Sequence, residues 1–362
     1  MGRNKHSTFS QGQRPSYVPK LKKKFYPMVS LCTPTFNRRP FLATAIECFK
    51  HQTYPRDRME WIIVDDGTDS VEDIFTQAAA DFPQIRYIRS PKRMHLGEKR
   101  NFMHSFVKGT IIVYMDDDDY YPPERVEHAV NALQENRDAL CAGSSEIYVY
   151  FKNLPSGPKM IQCGPYGPNH ATAGTFAFRT ELLKTSRYED HAALAEEKHF
   201  LKNYTVPFVQ LDPLKTILVF SHEHNTYDKR KLLEHPNPSL KESDKTVDMF
   251  IRRKEEEHIK HFFLNDIDTL LLNYAPGKPE EKPEVLQQIV KIEEERRKMI
   301  QEHTAANAGA NQTLMMQRPG EEPCELTVQQ ISDLLNQLQN EIYVLRKENE
   351  ELRKQLGKAG GK

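Results

Sequence analysis

The chain has 362 residues, with 51 Lys and Arg against 51 Asp and Glu, a formal net charge of zero and 38% apolar residues. That balance excludes attraction of the whole protein to nucleic acid or to an anionic membrane as its primary function, and an apolar share below the roughly 45–50% of soluble domains leaves part of the chain outside any packed core. Five cysteines without a CxxC pair exclude a disulfide scaffold and a zinc ribbon, and point to a reducing compartment.

Residues 1–26 carry seven Lys and Arg and no acid, among Ser, Gln and Pro. Such a segment cannot bury enough apolar surface to offset its ordering entropy, which predicts a disordered basic tail. It holds no apolar stretch of the signal-peptide kind, and no run anywhere reaches the roughly 18 apolar residues of a membrane span. The expectation is therefore a protein without a transmembrane segment, cytoplasmic in location.

Residues 27–225 alternate between short apolar runs and helix-like segments. Strands are expected at 28–32, 61–64, 85–88, 110–115, 147–151, 175–178 and 216–220, and helices at 40–52 and 71–82, among others. Fully apolar strands alternating with helices predict an α/β domain: a doubly wound, mostly parallel sheet with helices on both faces.

Residues 226–303 read as a helical extension, with helical patterns over 243–274 and 284–303 separated by the breaker APGKPEEKP at 275–283. Residues 304–325 read as a flexible linker. Over residues 326–357, Val328, Ile331, Leu335, Leu338, Ile342, Leu345, Asn349, Leu352 and Leu356 step by three and four. That is the 3.5-residue period of a coiled-coil seam, and Asn349 within it favours two parallel strands. A homodimer through 326–357 follows as an expectation.

Three strand ends carry polar clusters, and in an open α/β sheet ligands bind beyond the carboxyl ends of the strands. The first strand ends in Thr33-Pro34-Thr35, followed by Asn37, Arg38 and Arg39, where an arginine can meet a phosphate. The second ends in Asp65-Asp66-Gly67, which can accept from a base or a ribose, or simply cap the helix at 71–82. The third runs into Asp116, Asp117, Asp118 and Asp119. Four successive carboxylates repel one another, and a hard divalent cation such as Mn²⁺ or Mg²⁺ is the simplest neutraliser. Asp116 and Asp118 share a side of an extended chain, which suits two oxygen ligands on one ion.

The strings VSLCTPTFNR, HQTYPRDRMEWIIVDDGTDS, LGEKRNFMHSF and IIVYMDDDDYYPPERV, in this order and spacing, resemble the family 2 glycosyltransferases of the GT-A fold over roughly residues 28–225. The resemblance implies a nucleotide-sugar donor, often a UDP-sugar. It matches Thr33, Pro34, Thr35 and Arg38 to the first nucleotide-binding turn and Asp65 and Asp66 to the pair that reads the base. It also matches Gly97, Arg100 and Asn101 to a segment beside the nucleotide. Asp116 and Asp118 become the Asp-x-Asp motif that holds the metal on the diphosphate, with Asp117 near the ribose. Glu196-Glu197 stands where the family usually shows Glu-Asp or Asp-Asp, so Glu197, or failing it Glu196, is the implied base. His224, followed by Asn225 and Thr226, fits the late histidine that serves relatives as a third metal ligand.

The implied activity is metal-dependent, inverting sugar transfer to an acceptor hydroxyl of a glycan, protein or lipid, with Lys99 or Arg100 adding charge near the phosphates. Two rivals stand beside it. A nucleotidyltransferase would want a Gly-rich, Lys-bearing phosphate loop after the first strand, which CTPTFNRR lacks. The other is a non-catalytic sugar-nucleotide fold on a coiled-coil scaffold.

Overall fold

Alternation along three adjacent strands buries both faces of the central sheet. Val29, Leu31, Trp61, Ile63, Ile111 and Val113 enter one apolar cluster, and Cys32, Ile62, Val64, Ile112 and Tyr114 enter another. The computed structural model describes residues 25–194, 196–234, 237–308, 313–316, 324–327 and 330–331. They fall in two compact units, Met1–Ile289 and Val290–Lys362.

In the first unit the elements run β1 (Val29–Thr35), α1 (Arg39–Lys50), β2 (Met59–Asp65), α2 (Glu72–Asp81), β3 (Ile85–Arg89), α3 (Leu96–His104), β4 (Ile111–Tyr114) and α4 (Arg125–Glu135). There follow β5 (Cys141–Gly143), β6 (Ile147–Phe151), β7 (Lys159–Cys163), β8 (Ala177–Arg179), α5 (Glu197–Phe200), β9 (Phe208–Gln210), β10 (Leu218–Ser221), β11 (Leu240–Glu242), α6 (Glu257–His261) and α7 (Ile267–Leu272). The main sheet has the order β3-β2-β1-β4-β8-β5-β9. β3, β2, β1 and β4 are mutually parallel, whereas β8 runs antiparallel to both β4 and β5. The chain winds from β1 outward to β3, then returns to β4 on the other side of β1. The crevice between the carboxyl ends of β1 and β4 is thus a topological switch point, where α/β sheets take their ligands.

The doubly wound parallel arrangement holds only for the first half. The expected strands at 147–151 and 216–220 form β6 and β10 of a separate four-stranded sheet of order β10-β6-β7-β11. The acidic loop joins the two sheets: Tyr120 exchanges backbone hydrogen bonds with Leu218, and Asp119 accepts from the Phe220 N–H at 3.1 Å.

Residues 226–289 belong to the same compact unit as the two sheets. The helix expected over 243–274 is broken into α6, a π-turn at Phe262–Asp266 and α7. Its apolar side is anchored by a Phe220–Phe263 stack with centroids 4.1 Å apart, and by Phe41 against Ile267 and Leu271.

α8 (Pro283–Ala308) follows the breaker as expected. In the stretch read as a linker, β12 (Thr313–Met316) pairs antiparallel with β13 (Cys324–Thr327). The basic tail, apart from Phe25 and Tyr26, and the coiled coil, apart from residues 326–327 and 330–331, lie outside the described residues. Among the described residues no helix is long and apolar enough to cross a membrane.

Candidate active site

The switch point opens into a cavity of about 170 Å³ lined by Pro34, Thr35 and Arg38 after β1, Lys99 and Arg100 of α3, and Asp116, Asp117 and Asp118 after β4. Sequence-distant residues meet here because β1 and β4 are neighbours in register, Cys32 beside Tyr114.

The first turn divides its work. Thr33 faces the core: its hydroxyl accepts from Trp61 Nε1 at 2.8 Å and donates to the Met115 carbonyl at 2.5 Å, tying β1 to β2 and to the end of β4. Pro34, Thr35 and Arg38 reach the cavity. Asn37, in the left-handed region at φ 53°, bridges this turn to the next: its Oδ1 accepts from the Asp69 N–H at 3.0 Å.

The acidic pair is divided as well. Asp65 accepts from the Gly67 N–H (2.8 Å), from the Val71 N–H (3.4 Å) and from the Tyr87 hydroxyl (2.7 Å), and lies 3.5 Å from Arg89. That is the work of a loop cap. Asp66 is buried, accepts from the Met94 N–H at 2.7 Å and pairs closely with Lys99, whose amine also donates to the Thr35 carbonyl at 3.0 Å. Lys99 thereby holds Asp66 and the first turn together at the cavity wall.

The aspartate quartet is sorted by environment. Arg38 Nη2 stands 3.2 Å from Asp118 Oδ2 and Arg38 Nε 3.7 Å from Asp117 Oδ1. Against the upward push of burial, Arg38 and the neighbouring His222 hold the Asp118 carboxyl far below the usual carboxylate range. Burial lifts Asp116 to about 6, with Asp118 adding to the rise while Arg100 opposes it. Burial and the Asp118 charge lift Asp117 to about 7. The Asp116 N–H donates to the Tyr121 hydroxyl (2.8 Å), which donates to the Gly174 carbonyl (3.1 Å). A Cβ on Gly174 would fall 2.6 Å from Asp116 Oδ2, so a side chain at this point of the ATAGT turn would force that carboxylate to move. Asp119 points away, to β10.

The helix α3 carries the other charge. Arg100 is buried, its guanidinium carbon 4.6 Å from the Tyr114 ring centroid and 5.4 Å from that of Tyr188, with Nη2 3.1 Å from Glu196 Oε1. Burial and the Glu196 charge push the adjacent Glu197 carboxyl up to about 7. The two glutamates are thus divided between an arginine partner for Glu196 and a proton-exchanging range for Glu197. Gly97 and Asn101 serve the loop before them: the Gly97 N–H donates to the Ala192 carbonyl (2.8 Å), while Asn101 donates to the Tyr188 carbonyl (2.9 Å) and accepts from the Tyr188 N–H (3.0 Å). A Cβ on Gly97 would lie 2.0 Å from the Glu189 carbonyl oxygen, so this glycine permits close packing of the loop.

His222 and His224 make different contacts. A turn at 222–225, closed by Asn225 N–H to the His222 carbonyl at 3.1 Å, breaks the extended spacing. His222 Nε2 lies 3.4 Å from Asp118 Oδ2 and 2.9 Å from Asn225 Nδ2. His224 is fully buried beside Tyr274, both ring nitrogens lacking hydrogen-bond partners. Arg125 has no role in the sequence reading, yet its buried guanidinium donates to the carbonyls of Tyr114, Thr175 and Phe176 and fixes the end of β4 against the turn at 172–176. A charged residue after Pro-Pro gives no signal of this.

Hard oxygen donors at Asp116 and Asp118, with an imidazole beside them, fit Mg²⁺ or Mn²⁺ by donor type. Among the described residues no group of three or more His, Cys, Asp or Glu converges as a metal cluster. Mg²⁺ commonly takes one or two carboxylates and fills its remaining positions with phosphate and water, so two suffice. Arg38 Nη1 and Arg100 Nη1 are buried at this wall without hydrogen-bond partners. Buried polar groups are normally paired, and these are donors suited to phosphate oxygens.

Residues 30–194 match the description "Glycosyl transferase family 2". Over that stretch, a little under half of its length, the chain is similar to that family. An uncharacterized glycosyltransferase of Rickettsia bellii (strain RML369-C) is 30% identical over 125 residues, 34% of this chain and 18% of the relative. The chondroitin synthase of Escherichia coli is 27% identical over 142 residues, 39% of this chain and 20% of the relative. The chain thus spans about a fifth of the length of these two curated relatives. Among solved structures, mannosyltransferase PcManGT from Pyrobaculum calidifontis, in complex with GDP-Man and Mn²⁺, matches with a TM-score of 0.45 and 14% identity over 79% of this chain and 82% of that one. Within the family 2 match lie the strand ends, α3 and the aspartates. Glu196, Glu197, His222 and His224 lie beyond it.

Proposed function

We propose that this chain is a family 2 glycosyltransferase that moves a sugar from a nucleoside-diphosphate sugar to an acceptor hydroxyl, with inversion at the anomeric carbon. The observation that carries the reading is the switch-point cavity, where Arg38, Lys99, Arg100 and Asp116–Asp118 meet. Asp116 and Asp118 would hold Mn²⁺ or Mg²⁺, whose charge offsets that of a departing diphosphate. Arg38 and Arg100 add fixed positive charge at the same wall. Glu197, lifted to about 7, takes the acceptor proton near neutral pH, while Glu196 stays with Arg100. Attack from the face opposite the leaving diphosphate inverts the sugar centre. A UDP-sugar donor, a cytosolic glycan, protein or lipid acceptor and a homodimer through 326–357 belong to the same proposal.

The test is product analysis with panels of UDP- and GDP-sugars in the presence of Mn²⁺. Nucleoside diphosphate release that increases on adding an acceptor supports sugar transfer. Pyrophosphate formation from sugar phosphate and nucleoside triphosphate would favour the nucleotidyltransferase instead. Neither product from any panel member would leave a non-catalytic module.

A further inference from the structure

A strap formed by residues 274–289, outside the family 2 match, forms one wall of the donor cavity. At one end the Tyr274 hydroxyl donates to Asp69 Oδ2 at 2.7 Å. Gly277, at φ +83°, passes so close to Asn37 that a Cβ would fall 2.2 Å from its carbonyl oxygen. At the other end Gln288 accepts from the Ala193 N–H (2.9 Å) and donates to the His191 carbonyl (2.7 Å), while Val285 and Ile289 pack on Ala193. The strap therefore touches both the nucleotide-side turns and the loop that leads to Glu196. Between its anchors, Lys282, Glu284 and Val285 face the cavity that Arg38 and Asp116–Asp118 line.

The cations of that cavity are not equivalent. Arg38 is paired with Asp117 and Asp118, Arg93 with Glu284, Lys99 with Asp66 and Arg100 with Glu196. Lys282, at 5% exposure, is as buried as Arg38, Lys99 and Arg100, but among the described residues it has no carboxylate within ion-pair distance. Its amine donates to Thr226 Oγ1 at 3.2 Å and keeps further N–H capacity for another partner. Burial, together with Arg38 and Arg93 nearby, pushes its pKa down to about 6. A buried, unpaired amine is a costly feature of a fold, and an anion entering the same cavity relieves the cost.

We propose that Lys282 is a diphosphate-binding residue of the donor site, its amine carried by the 274–289 strap to the phosphate oxygens of a nucleoside diphosphate. The inference rests on the reading of this cavity as the donor site. It adds a ligand from a segment 88 residues past the end of the family match at 194.

The experiment is calorimetric titration of the full chain, with Mn²⁺ present, using UDP, GDP and the corresponding nucleosides. Lys282→Met is expected to weaken diphosphate binding by about 10- to 100-fold, as for loss of a charged hydrogen bond. Nucleoside affinity should stay within about twofold, and Lys282→Arg should retain most diphosphate affinity. Lys282→Gln, which keeps a polar head beside Thr226, is run in parallel so that a packing defect in the Met variant does not decide the result. Diphosphate affinity unchanged in both neutral variants overturns the proposal, as does an equal loss for nucleoside and diphosphate. If the unaltered chain binds neither UDP nor GDP, the donor reading itself falls, which is a different result from an unaffected Lys282 variant.

Discussion

Arg38 Nη2 lies 3.2 Å from Asp118 Oδ2, and the two side chains are only 5% and 16% exposed. A buried carboxylate ordinarily gains a proton, yet this one is held ionised by its arginine and by His222. The pair joins the turn after β1 to the turn after β4, the two walls of the switch point. It also leaves at the cavity one permanent anion, suited to a hard cation, and one permanent cation, suited to a phosphate.

Removing that anion is the sharpest test of the metal assignment. Asp118→Asn should lower Mn²⁺ affinity, measured in the presence of UDP or GDP, by at least about 100-fold and abolish sugar transfer. Because the substitution also leaves Arg38 buried without its partner, thermal melting has to accompany the titration. Normal Mn²⁺ binding by a folded Asp118→Asn variant would remove this carboxylate from the metal site.

Glu197, the proposed base, is expected to shape the pH dependence. Its carboxyl is raised to about 7, and only the deprotonated form can accept a proton from the acceptor. Turnover should therefore rise about tenfold per pH unit below 7 and level off above it. Glu197→Gln should lower kcat by about 10²- to 10⁴-fold, flatten that limb and leave nucleotide affinity intact. A Gln variant with ordinary turnover would take the base role away from this side chain.

The histidines separate on geometry. His222 touches Asp118, whereas His224 lies beside Tyr274. His222→Ala should weaken Mn²⁺ binding more than His224→Ala. His224→Ala should act mainly on stability, because it leaves a cavity in a packed, fully buried position. Titration of Mn²⁺ into both variants, with melting curves, ranks them, and the reverse order would restore His224 as the metal-side imidazole.

The parts of this fold legible in the sequence are those whose environment writes a continuous pattern. β1, β2 and β4 are buried on both faces, so they read as mainly apolar runs, unbroken in β4 and interrupted by Ser30 in β1 and by Glu60 in β2. β5 and β9, at three residues each, are too short to carry any period. Strand ends flag where a site can form, but not which way each side chain turns. Thr33 and Asp65 have the residue types of ligands, yet the partners that claim them, Trp61 and Tyr87, lie on other strands. The different roles of Glu196 and Glu197 likewise depend on Arg100, some 96 positions earlier for the former. The pairing of Asp66 with Lys99 is equally nonlocal. Of the helical pattern read over 243–274, the continuous helical stretch is 257–272, with a π-turn at Phe262–Asp266 where Phe263 stacks on Phe220.

Gly97 offers a test of how the loop before α5 is held. In the interior of an exposed helix, alanine would be favoured over glycine by about 1 kcal/mol. Here a Cβ would stand 2.0 Å from the Glu189 carbonyl oxygen, a backbone atom that cannot rotate away. The steric term should win, since overpacking costs about 1–3 kcal/mol and the loop must shift to relieve it. Gly97→Ala is accordingly expected to lower the melting temperature by about 2–12 °C, taking 2–4 °C per kcal/mol for a domain of this size. The same loop runs on to Glu196 and Glu197, so the shift moves the proposed base relative to the proposed donor cavity. The kcat for transfer should therefore fall further than the affinity for nucleoside diphosphate, which depends on the walls at Arg38, Lys99 and Asp116–Asp118. A Gly97→Ala variant with unchanged melting and unchanged kcat would show that the loop absorbs the methyl group without moving the glutamates.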